Sequence, residues 1–224
     1  MENRGVTDSQ VGTKMALDYK KEYKEFYMPK NRPEIVEVPS MNFLSVRGKG
    51  DPSKEGGEYQ KAVGLLYGIA FTIKMSRKAD HEIDGFFDYV VPPLEGFWWM
   101  DDRIGMDPGR KDGFNWTSLI RLPDFVSEND FRWAVREATR KKKMDFSKVA
   151  YMTYAEGTCV QCMHIGPYDN EPITVRSMIE YANMKGYEID ITECRHHHEI
   201  YLSDARRCDS FRLRTVIRHP IRKP

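Results

Sequence analysis

An internal repeat limits the fold of this chain more than any other feature of its sequence. Residues 114–123 read FNWTSLIRLP, and residues 211–220 read FRLRTVIRHP. Each segment closes a series of elements in the order strand, helix, strand, strand. Two such units bury their sheets against helices and leave a cleft where they meet. We therefore predict an α+β fold of two pseudo-symmetric strand-helix-strand-strand modules around a central ligand cleft.

Hydrophobic periodicity and turn residues divide the chain into halves of about 33–145 and 146–224. Helix signals cover residues 58–75, 127–143 and 172–185. Strand signals cover residues 34–46, 85–91, 114–122, 149–154, 158–165, 196–202 and 211–217, with a further strand starting near residue 96. Before the first strand, residues 1–17 predict a disordered tail, and residues 18–32 predict a short arm that clasps the body.

The composition points to an ordinary globular protein without a general attraction to polyanions. The 35 Lys and Arg residues balance 34 Asp and Glu residues, for a formal net charge of +1. The run Arg140–Lys143 fits either a solvated last helical turn or a nucleic-acid patch, and the near-neutral chain favours the first. No apolar run approaches the roughly 20 residues of a membrane span, and no secretory signal is present. The four cysteines do not form a disulfide framework, so we expect a soluble, cytoplasmic protein.

Several motifs carry a family resemblance. Residues 154–169 contain YAEG and HIGPYD, and residues 197–204 read HHEIYLSD. With DYKKEYK at 18–24 and VPPLEGFWW at 91–99, these motifs resemble the stand-alone branch of the GyrI-like small-molecule-binding family. The likeness extends over residues 18–220.

The resemblance implies one GyrI-like domain over residues 18–224 that binds lipophilic, often cationic or drug-like compounds. In multidrug-sensing transcription regulators this domain follows a DNA-binding domain. Only about 30 residues precede the first strand here, too few for a separate helix-turn-helix module. Some stand-alone members are similar to hydrolases that open the strained cyclopropane of alkylating natural products.

Glu199 is the first candidate for chemistry. Side chains alternate along a strand, so His197, Glu199 and Tyr201 share one face. The resemblance places Glu199 in the ligand cleft, where aromatic walls favour a cationic ligand and raise the carboxyl pKa toward that of a general base. The alternative is a strand Glu paired with a nearby Arg or His. The same resemblance and shared face make Tyr154, His197 and Tyr201 candidate ligand-binding residues.

Clustered aromatic side chains form a second group of candidates. Flat rings stack on flat ligands and exclude water, which makes Tyr89, Trp98, Trp99 and Trp116 candidate wall residues. Trp98 and Trp99 point to opposite faces of a regular strand, so at most one of them lines the cleft. Trp99 is the one that we expect to line the cleft, although the alternation itself does not decide between the two. Glu95, in the turn ahead of them, is either a second cleft carboxylate or a solvated turn residue.

His164 and Tyr168 flank the Gly166–Pro167 corner between a strand and a helix. A corner of this kind can present side chains to a cleft, so both are candidate catalytic residues, with His164 orienting or protonating a ligand group. The alternative for His164 is a structural histidine whose nitrogens are satisfied within the fold.

Cysteine and histidine spacing also raises a metal hypothesis. Cys159 and Cys162 form a C-x-x-C pair, and Cys194 precedes His196–His198. A zinc-binding pair of this type occupies a tight turn, whereas this one falls in a predicted strand whose positions three apart face opposite sides. We therefore predict buried core thiols and no metal. The sequence contains no phosphate-binding or dinucleotide-binding glycine motif, so no cofactor is expected.

The residues and the resemblance together predict a protein that binds a lipophilic small molecule in an aromatic cleft around a central Glu. Hydrolysis of a reactive cyclopropane-containing compound is the catalytic form of this hypothesis. The alternatives are a non-catalytic sensor or sequestering protein, and a protein-interaction module resembling a gyrase inhibitor. We expect no direct binding to nucleic acid or membrane, and the sequence identifies no protein partner.

Overall fold

The strands pair into an antiparallel sheet that closes on itself. In the computed structural model, which describes residues 16–103 and 105–224, the order is β4-β1-β3-β2-β6-β7-β5, and β7 also pairs with β4. The strands are β1 (Glu34–Lys49), β2 (Leu94–Trp99), β3 (Asn115–Arg121), β4 (Ala150–Ile165), β5 (Glu188–Ile189), β6 (His197–Tyr201) and β7 (Arg214–Arg222). Closure leaves β1, β2, β3, β4, β6 and β7 each with neighbours on both sides, which removes exposed sheet edges.

Helices cover the outside of this sheet and precede its first strand. They are α1 (Tyr19–Glu22), α2 (Lys24–Tyr27), α3 (Glu58–Lys74), α4 (Glu128–Lys142) and α5 (Glu171–Met184), with 3-10 turns at Ser76–Ala79, Pro108–Gly113, Tyr168–Asn170 and Ser210–Arg212. A capping box begins α4, because the side chains of Ser127 and Asp130 each accept a hydrogen bond from the other residue's backbone N–H group. Among the described residues, no helix is both long and apolar enough to cross a membrane.

The element order confirms the predicted modular α+β fold. The first module is β1-α3-β2-β3, and the second is β4-α5-β6-β7 with the short β5 inserted. The two modules join along β1–β4 and again along β2–β6. Glu199, the first candidate for chemistry, lies in the β2–β6 seam.

The sheet has two faces, which carry different cores. The inner face encloses a cluster that includes Phe43, Phe97 and Ile200, and the arm adds Tyr19 and Tyr27 to it. The outer face, here called the helix face, packs against α3 and α5 through the clusters around Leu66, Trp98, Trp116, Met178 and Ile217. Residues next to each other on a strand therefore belong to different cores.

Three details of the predicted elements are wrong. Residues 85–91 form no strand, because Tyr89 pairs only in an isolated bridge with Leu17 of the arm while Gly85 takes a positive φ of 69°. The strands predicted at 149–154 and 158–165 are one strand, β4, in which Gly157 at φ 70° allows a local distortion. The short β5 was not predicted. Residues 1–15, where the disordered tail was expected, lie outside the described residues.

Candidate functional site

Glu199 lies on the helix face at the seam between the two modules. It is paired with Gly96 of β2 on one side and with Ile217 of β7 on the other. Its side chain is buried, with 9% of the residue exposed. The alternation of β6 places His197 and Tyr201 on the same face, as the sequence predicts.

Aromatic side chains from five elements lie together on this face of the seam. The indole Nε1–H of Trp98 donates to the hydroxyl of Tyr201 at 2.8 Å. Tyr59 of α3 places its ring 5.4 Å from that of Trp98 and 5.2 Å from that of Trp116. Tyr168 meets Tyr201 edge to face at 6.1 Å. We call these five residues, Tyr59, Trp98, Trp116, Tyr168 and Tyr201, the aromatic wall. Because Tyr168 is exposed, it lies at the outer rim of this wall.

Two glycines make room for these indoles. A Cβ atom at Gly96 would lie 2.7 Å from Nε1 of Trp98 and 3.3 Å from the Tyr201 hydroxyl. At Gly48 of β1 it would lie 2.3 Å from the ring of Trp116. Real Cβ contacts are longer than this, so the missing side chains allow both rings to lie against the sheet.

A second carboxyl group, Glu171, adjoins Glu199. Glu171 is the first residue of α5, is 8% exposed, and has a carboxyl oxygen with no hydrogen-bond partner among the described residues. One ligand atom each of Glu171, His197 and Glu199 lies within 4.8 Å of the other two. Burial, followed by the charge of Glu199, raises the pKa of Glu171 well above its usual range.

Two histidines extend the group of polar residues away from Glu199. Nε2 of His197 lies 2.9 Å from Oε1 of Glu199, and Nδ1 of His197 lies 2.7 Å from Nε2 of His219. Burial and the neighbouring His197 lower the pKa of His219 well below its ordinary value, so His219 is neutral. A neutral His219 can donate Nε2–H to His197, which then donates its own Nε2–H to Glu199.

The opposite, inner face of the same strands carries a separate charged network. His198 bonds Glu95 through Nε2 at 3.0 Å and Glu156 through Nδ1 at 3.1 Å. Arg218 donates to Glu156 at 3.0 Å, and the Tyr27 hydroxyl donates to Glu95 at 3.1 Å. The cavity among these groups measures about 10 Å³. It has room for at most one water molecule and cannot hold an organic ligand.

Mutual charge keeps this inner network ionised. Burial alone would raise the pKa of Glu156, but the charges and hydrogen bonds of His198 and Arg218 lower it to about 2. Burial alone would lower the pKa of His198, but Glu156 and Glu95 raise it to about 9. The network is therefore a buried set of ion pairs that links β2, β4, β6 and β7.

The structure divides the candidate residues of the sequence between the two faces. On the helix face it brings together Glu199, His197, Tyr201, Trp98, Trp116 and Tyr168. On the inner face it places Tyr89, Glu95, Trp99 and Tyr154. For the candidates in strands, the division follows from strand alternation, which sends neighbouring side chains to opposite sides of the sheet.

Each of the four inner-face candidates has partners away from Glu199, contrary to the expectation that it lines the cleft. Trp99 stacks on His196 at 4.4 Å. The Tyr154 hydroxyl donates to the Cys194 carbonyl at 3.1 Å. The ring of Tyr89 is buried in the inner core, and Glu95 belongs to the ion-pair network described above.

His164 lies on the helix face, but both of its nitrogens are occupied. Nε2 lies 3.0 Å from the Pro167 carbonyl, and Nδ1 lies 2.8 Å from the Thr174 hydroxyl. A carbonyl only accepts, so Nε2–H donates and Nδ1 accepts from Thr174. These bonds give His164 a structural role, as in the alternative reading. They fasten the corner that precedes α5 and thereby help to place Tyr168 and Glu171.

The cysteines do not gather into a metal site among the described residues. Cys159 belongs to the inner core and Cys162 to the core beneath α5, while Cys194 is exposed in a loop. Burial, with a smaller contribution from Glu34, raises the pKa of the Cys162 thiol to about 11. The strand alternation that argued against a zinc pair is thus present in the structure.

Sequence analysis missed three residues of the site: Tyr59, Glu171 and His219. Tyr59 lies in the predicted helix 58–75, and helical periodicity places it on the buried face without showing that Trp98 and Trp116 pack against it. Glu171 precedes Pro172 at a predicted helix start, where an acidic residue is ordinary. His219 lies in the second copy of the repeat. Strand alternation along β7 places it on the same face as Ile217, and Ile217 pairs with Glu199 of β6. That register is the signal that could have found it.

Fold and site define a small-molecule-binding domain, in which two modules meet where buried acids adjoin an aromatic wall. The chain belongs to the GyrI-like family, because the model of the GyrI-like small molecule binding domain matches residues 32–222. A comparison with curated proteins gave no match.

Solved structures agree with this assignment. A hydrolase from Listeria innocua is 47% identical, with 92% of this chain and 100% of that chain covered and a TM-score of 0.84. An uncharacterized conserved protein from Listeria innocua is also 47% identical, with the same coverage and a TM-score of 0.86. The C-terminal domain of EcmrR is 14% identical, with 86% of this chain and 98% of that chain covered and a TM-score of 0.51. This last likeness concerns the fold alone.

Proposed function

We propose that the protein binds a flat, lipophilic, drug-like compound against the aromatic wall and adds water to a strained, electrophilic ring in it. The observation that carries the proposal is the position of Glu199, a buried carboxyl group at the module seam that faces the aromatic wall. The similarity to a Listeria innocua hydrolase that covers 92% of the chain supports a hydrolytic activity.

The aromatic wall supplies binding and orientation. Tyr59 and Tyr201 are partly exposed and offer ring surface on which a planar compound can stack, with the buried Trp98 behind them. The exposed ring of Tyr168 lies at the rim, where it can move aside for entry. Stacking holds the reactive ring beside Glu199 and excludes bulk water, so the reaction resembles an intramolecular one.

Glu199 acts as the general base in this proposal. It accepts a proton from a water molecule while the water oxygen forms a bond to a carbon of a cyclopropane ring. One ring C–C bond breaks, and its electron pair moves into the conjugated acceptor group of the compound. The acceptor then takes up the proton from Glu199, so the net change is the addition of one water molecule. His197, which contacts Glu199 at 2.9 Å, orients the carboxyl group throughout.

The test is mass spectrometry of a cyclopropane-bearing alkylator after incubation with wild type, Glu199→Gln and Glu180→Gln. Glu180 is an exposed residue of α5 and serves as the matched control. We expect a water adduct with wild type and with Glu180→Gln, and a rate lower by about 10²–10⁴-fold with Glu199→Gln. Equal rates for Glu199→Gln and wild type would remove Glu199 from the mechanism.

The same experiment separates catalysis from binding alone. A compound that is retained by the wild-type protein and recovered unchanged would identify a sequestering or sensing protein. In that case Glu199→Gln should weaken the binding of a cationic compound more than that of a neutral compound of the same shape. The reason is that the substitution removes the carboxylate charge, which attracts only the cation.

A further inference from the structure

We propose that Glu171, His197 and Glu199 form a binding site for one divalent transition-metal cation, with Zn²⁺ and Mn²⁺ as the fitting ions. The proposal concerns the same cleft as the proposed hydrolysis but does not depend on it, since metal binding can be measured without substrate.

The three side chains already lie at distances from which a metal can gather them. His197 and Glu199 are two residues apart on β6, so both project from the helix face, and Glu171 approaches them from the start of α5. Their ligand atoms lie within 4.8 Å of one another. The 2.9 Å between His197 Nε2 and Glu199 Oε1 equals the edge of an octahedron with metal–ligand bonds of about 2.1 Å.

The electrostatic surroundings favour a cation. Among the described residues, Glu199 forms its ion pair with His197 only, and Glu171 forms none. The charged groups Arg218 and His198 belong to the inner face and are already paired with Glu156 and Glu95. Two buried carboxyl groups without a neighbouring Lys or Arg are costly unless a cation or a proton compensates them.

Glu171 supplies an independent sign of a missing ligand. Only 8% of Glu171 is exposed. Its Oε1 atom has no hydrogen-bond partner in the part of the chain that the structure describes. Buried carboxyl oxygens are nearly always hydrogen-bonded or bound to metal. A buried, unpartnered carboxyl oxygen beside a histidine and a second carboxyl group is a free ligand atom for a cation.

His197 has the outer support that metal-binding histidines usually have. Its Nδ1 lies 2.7 Å from Nε2 of the buried His219, and its Nε2 points to Glu199. A metal on Nε2 reverses the bond between the two rings, because His197 then carries its proton on Nδ1 and donates it to Nε2 of His219. Such second contacts set the tautomer and orientation of a ligating imidazole. One imidazole nitrogen with two carboxylates suits Zn²⁺ or Mn²⁺ better than Ca²⁺, which prefers oxygen alone. Three protein ligands also leave coordination positions for water.

The direct test is calorimetric titration of chelator-treated, dialysed protein with Zn²⁺ and with Mn²⁺. We expect one ion bound per chain in the wild type, and affinity at least 100-fold weaker in Glu171→Gln and in His197→Gln. The controls are Glu180→Gln, on the exposed side of α5, and His196→Gln, whose ring stacks on Trp99 outside the site. Both should bind as the wild type does.

Absence of stoichiometric binding by the wild type, or equal affinity in all variants, would overturn the proposal. X-ray absorption of the Zn²⁺-loaded wild type tests it without any variant: one imidazole nitrogen with carboxylate oxygens supports it, and a sulfur ligand contradicts it. Turnover by the chelator-treated protein would leave the proposed hydrolysis intact even if the metal site failed.

Discussion

His198 and Glu199 are consecutive residues of β6 whose side chains serve opposite faces of the sheet. His198 bonds Glu95 and Glu156 on the inner face, while Glu199 contacts His197 on the helix face. The buried ion pairs of His198 therefore hold β6 from its inner face, while the helix face of the same strand carries Glu199. Changes to that network should reach the cleft through the position of β6.

The ion pairs of His198 and Glu156 should give the protein a defined pH range of greatest stability. The pKa of His198 rises from 6.5 to about 9, so its contribution is complete below pH 6.5 and is lost as the pH rises through 9. The pKa of Glu156 falls from 4.5 to about 2, so its contribution is complete above pH 4.5 and is lost as the pH falls toward 2. Between these limits both contributions are present.

Urea denaturation at pH 6 and pH 9.5 tests the His198 contribution. We expect the free energy of unfolding of the wild type to fall by on the order of 3 kcal/mol between these pH values because His198 loses its proton. His198→Gln, which cannot carry the charge, should start from a lower stability and lose less. An equal loss in both proteins would show that another group dominates the pH dependence.

Gly96→Ala should damage the aromatic wall. The added methyl group would lie 2.7 Å from Nε1 of Trp98 and 3.3 Å from the hydroxyl of Tyr201, so one of these rings must shift. We expect a loss of about 1–3 kcal/mol in stability, with weaker binding of a flat lipophilic compound. Gly64→Ala is the control, because a Cβ atom there meets nothing within 4 Å and lies in the interior of α3.

Denaturation and ligand titration of both glycine variants provide the measurement. Gly64→Ala should stabilise the protein by up to about 1 kcal/mol, since alanine is the better helix former. A Gly96→Ala variant that binds ligand as well as the wild type would show that the ligand does not use the surface of Trp98.

Trp98 and Trp99 should respond differently to a ligand. Trp98 faces Tyr59 and Tyr201 beside Glu199, whereas Trp99 stacks on His196 toward the other side. We expect Trp98→Phe to weaken binding of a flat lipophilic compound about tenfold, from the loss of stacking area and of the bond to Tyr201. Trp99→Phe should change affinity less than twofold.

Fluorescence titration reports on both tryptophan variants. Ligand should quench the emission of Trp99→Phe, which keeps Trp98, more than that of Trp98→Phe. The reverse order would place the ligand on the inner side of β2, and it would return Trp99 to the set of candidate wall residues.

Local patterns in the sequence predicted those parts of the fold that depend on neighbouring residues. Strand alternation placed His197, Glu199 and Tyr201 on one face, and the repeat predicted the two modules. Alternation also showed that Trp98 and Trp99 diverge, but not which of them accompanies Glu199. That choice depends on the register that opposes Gly96 to Glu199, a pairing between residues 103 apart in the chain.

Contacts made only by tertiary folding could not be predicted. Glu171 reaches Glu199 because α5 begins over β6, and nothing near Glu171 in the sequence signals that approach. Glu95 was expected either in the cleft or in solvent, yet it bonds the arm through Tyr27 and β6 through His198. Its actual place required the closed sheet, which creates an inner face that a single strand pattern does not reveal.

The arm before β1 should contribute to stability through one buried hydroxyl group. Tyr27 donates to Glu95 at 3.1 Å, and burial, with the charge of Glu95, raises the pKa of Tyr27, so the hydroxyl keeps its proton. Arg218 also donates to the Phe26 carbonyl at 2.9 Å. These bonds tie the arm, which precedes the family match that begins at residue 32, to the inner network.

Tyr27→Phe removes that hydroxyl and leaves Glu95 with His198 as its remaining partner. We expect a loss of about 1–3 kcal/mol in the free energy of unfolding, because a buried charged acceptor loses a donor. Tyr23→Phe is the matched control: its ring lies 4.5 Å from the Arg121 guanidinium, a contact that phenylalanine keeps, so the change should stay within about 0.5 kcal/mol. Urea denaturation measures both variants, and limited proteolysis reports whether the arm detaches first. Equal, small effects of the two substitutions on unfolding would mean that ring burial alone holds the arm in place. Faster cleavage of the arm in Tyr27→Phe, but not in Tyr23→Phe, would identify the bond to Glu95 as the anchor of the arm.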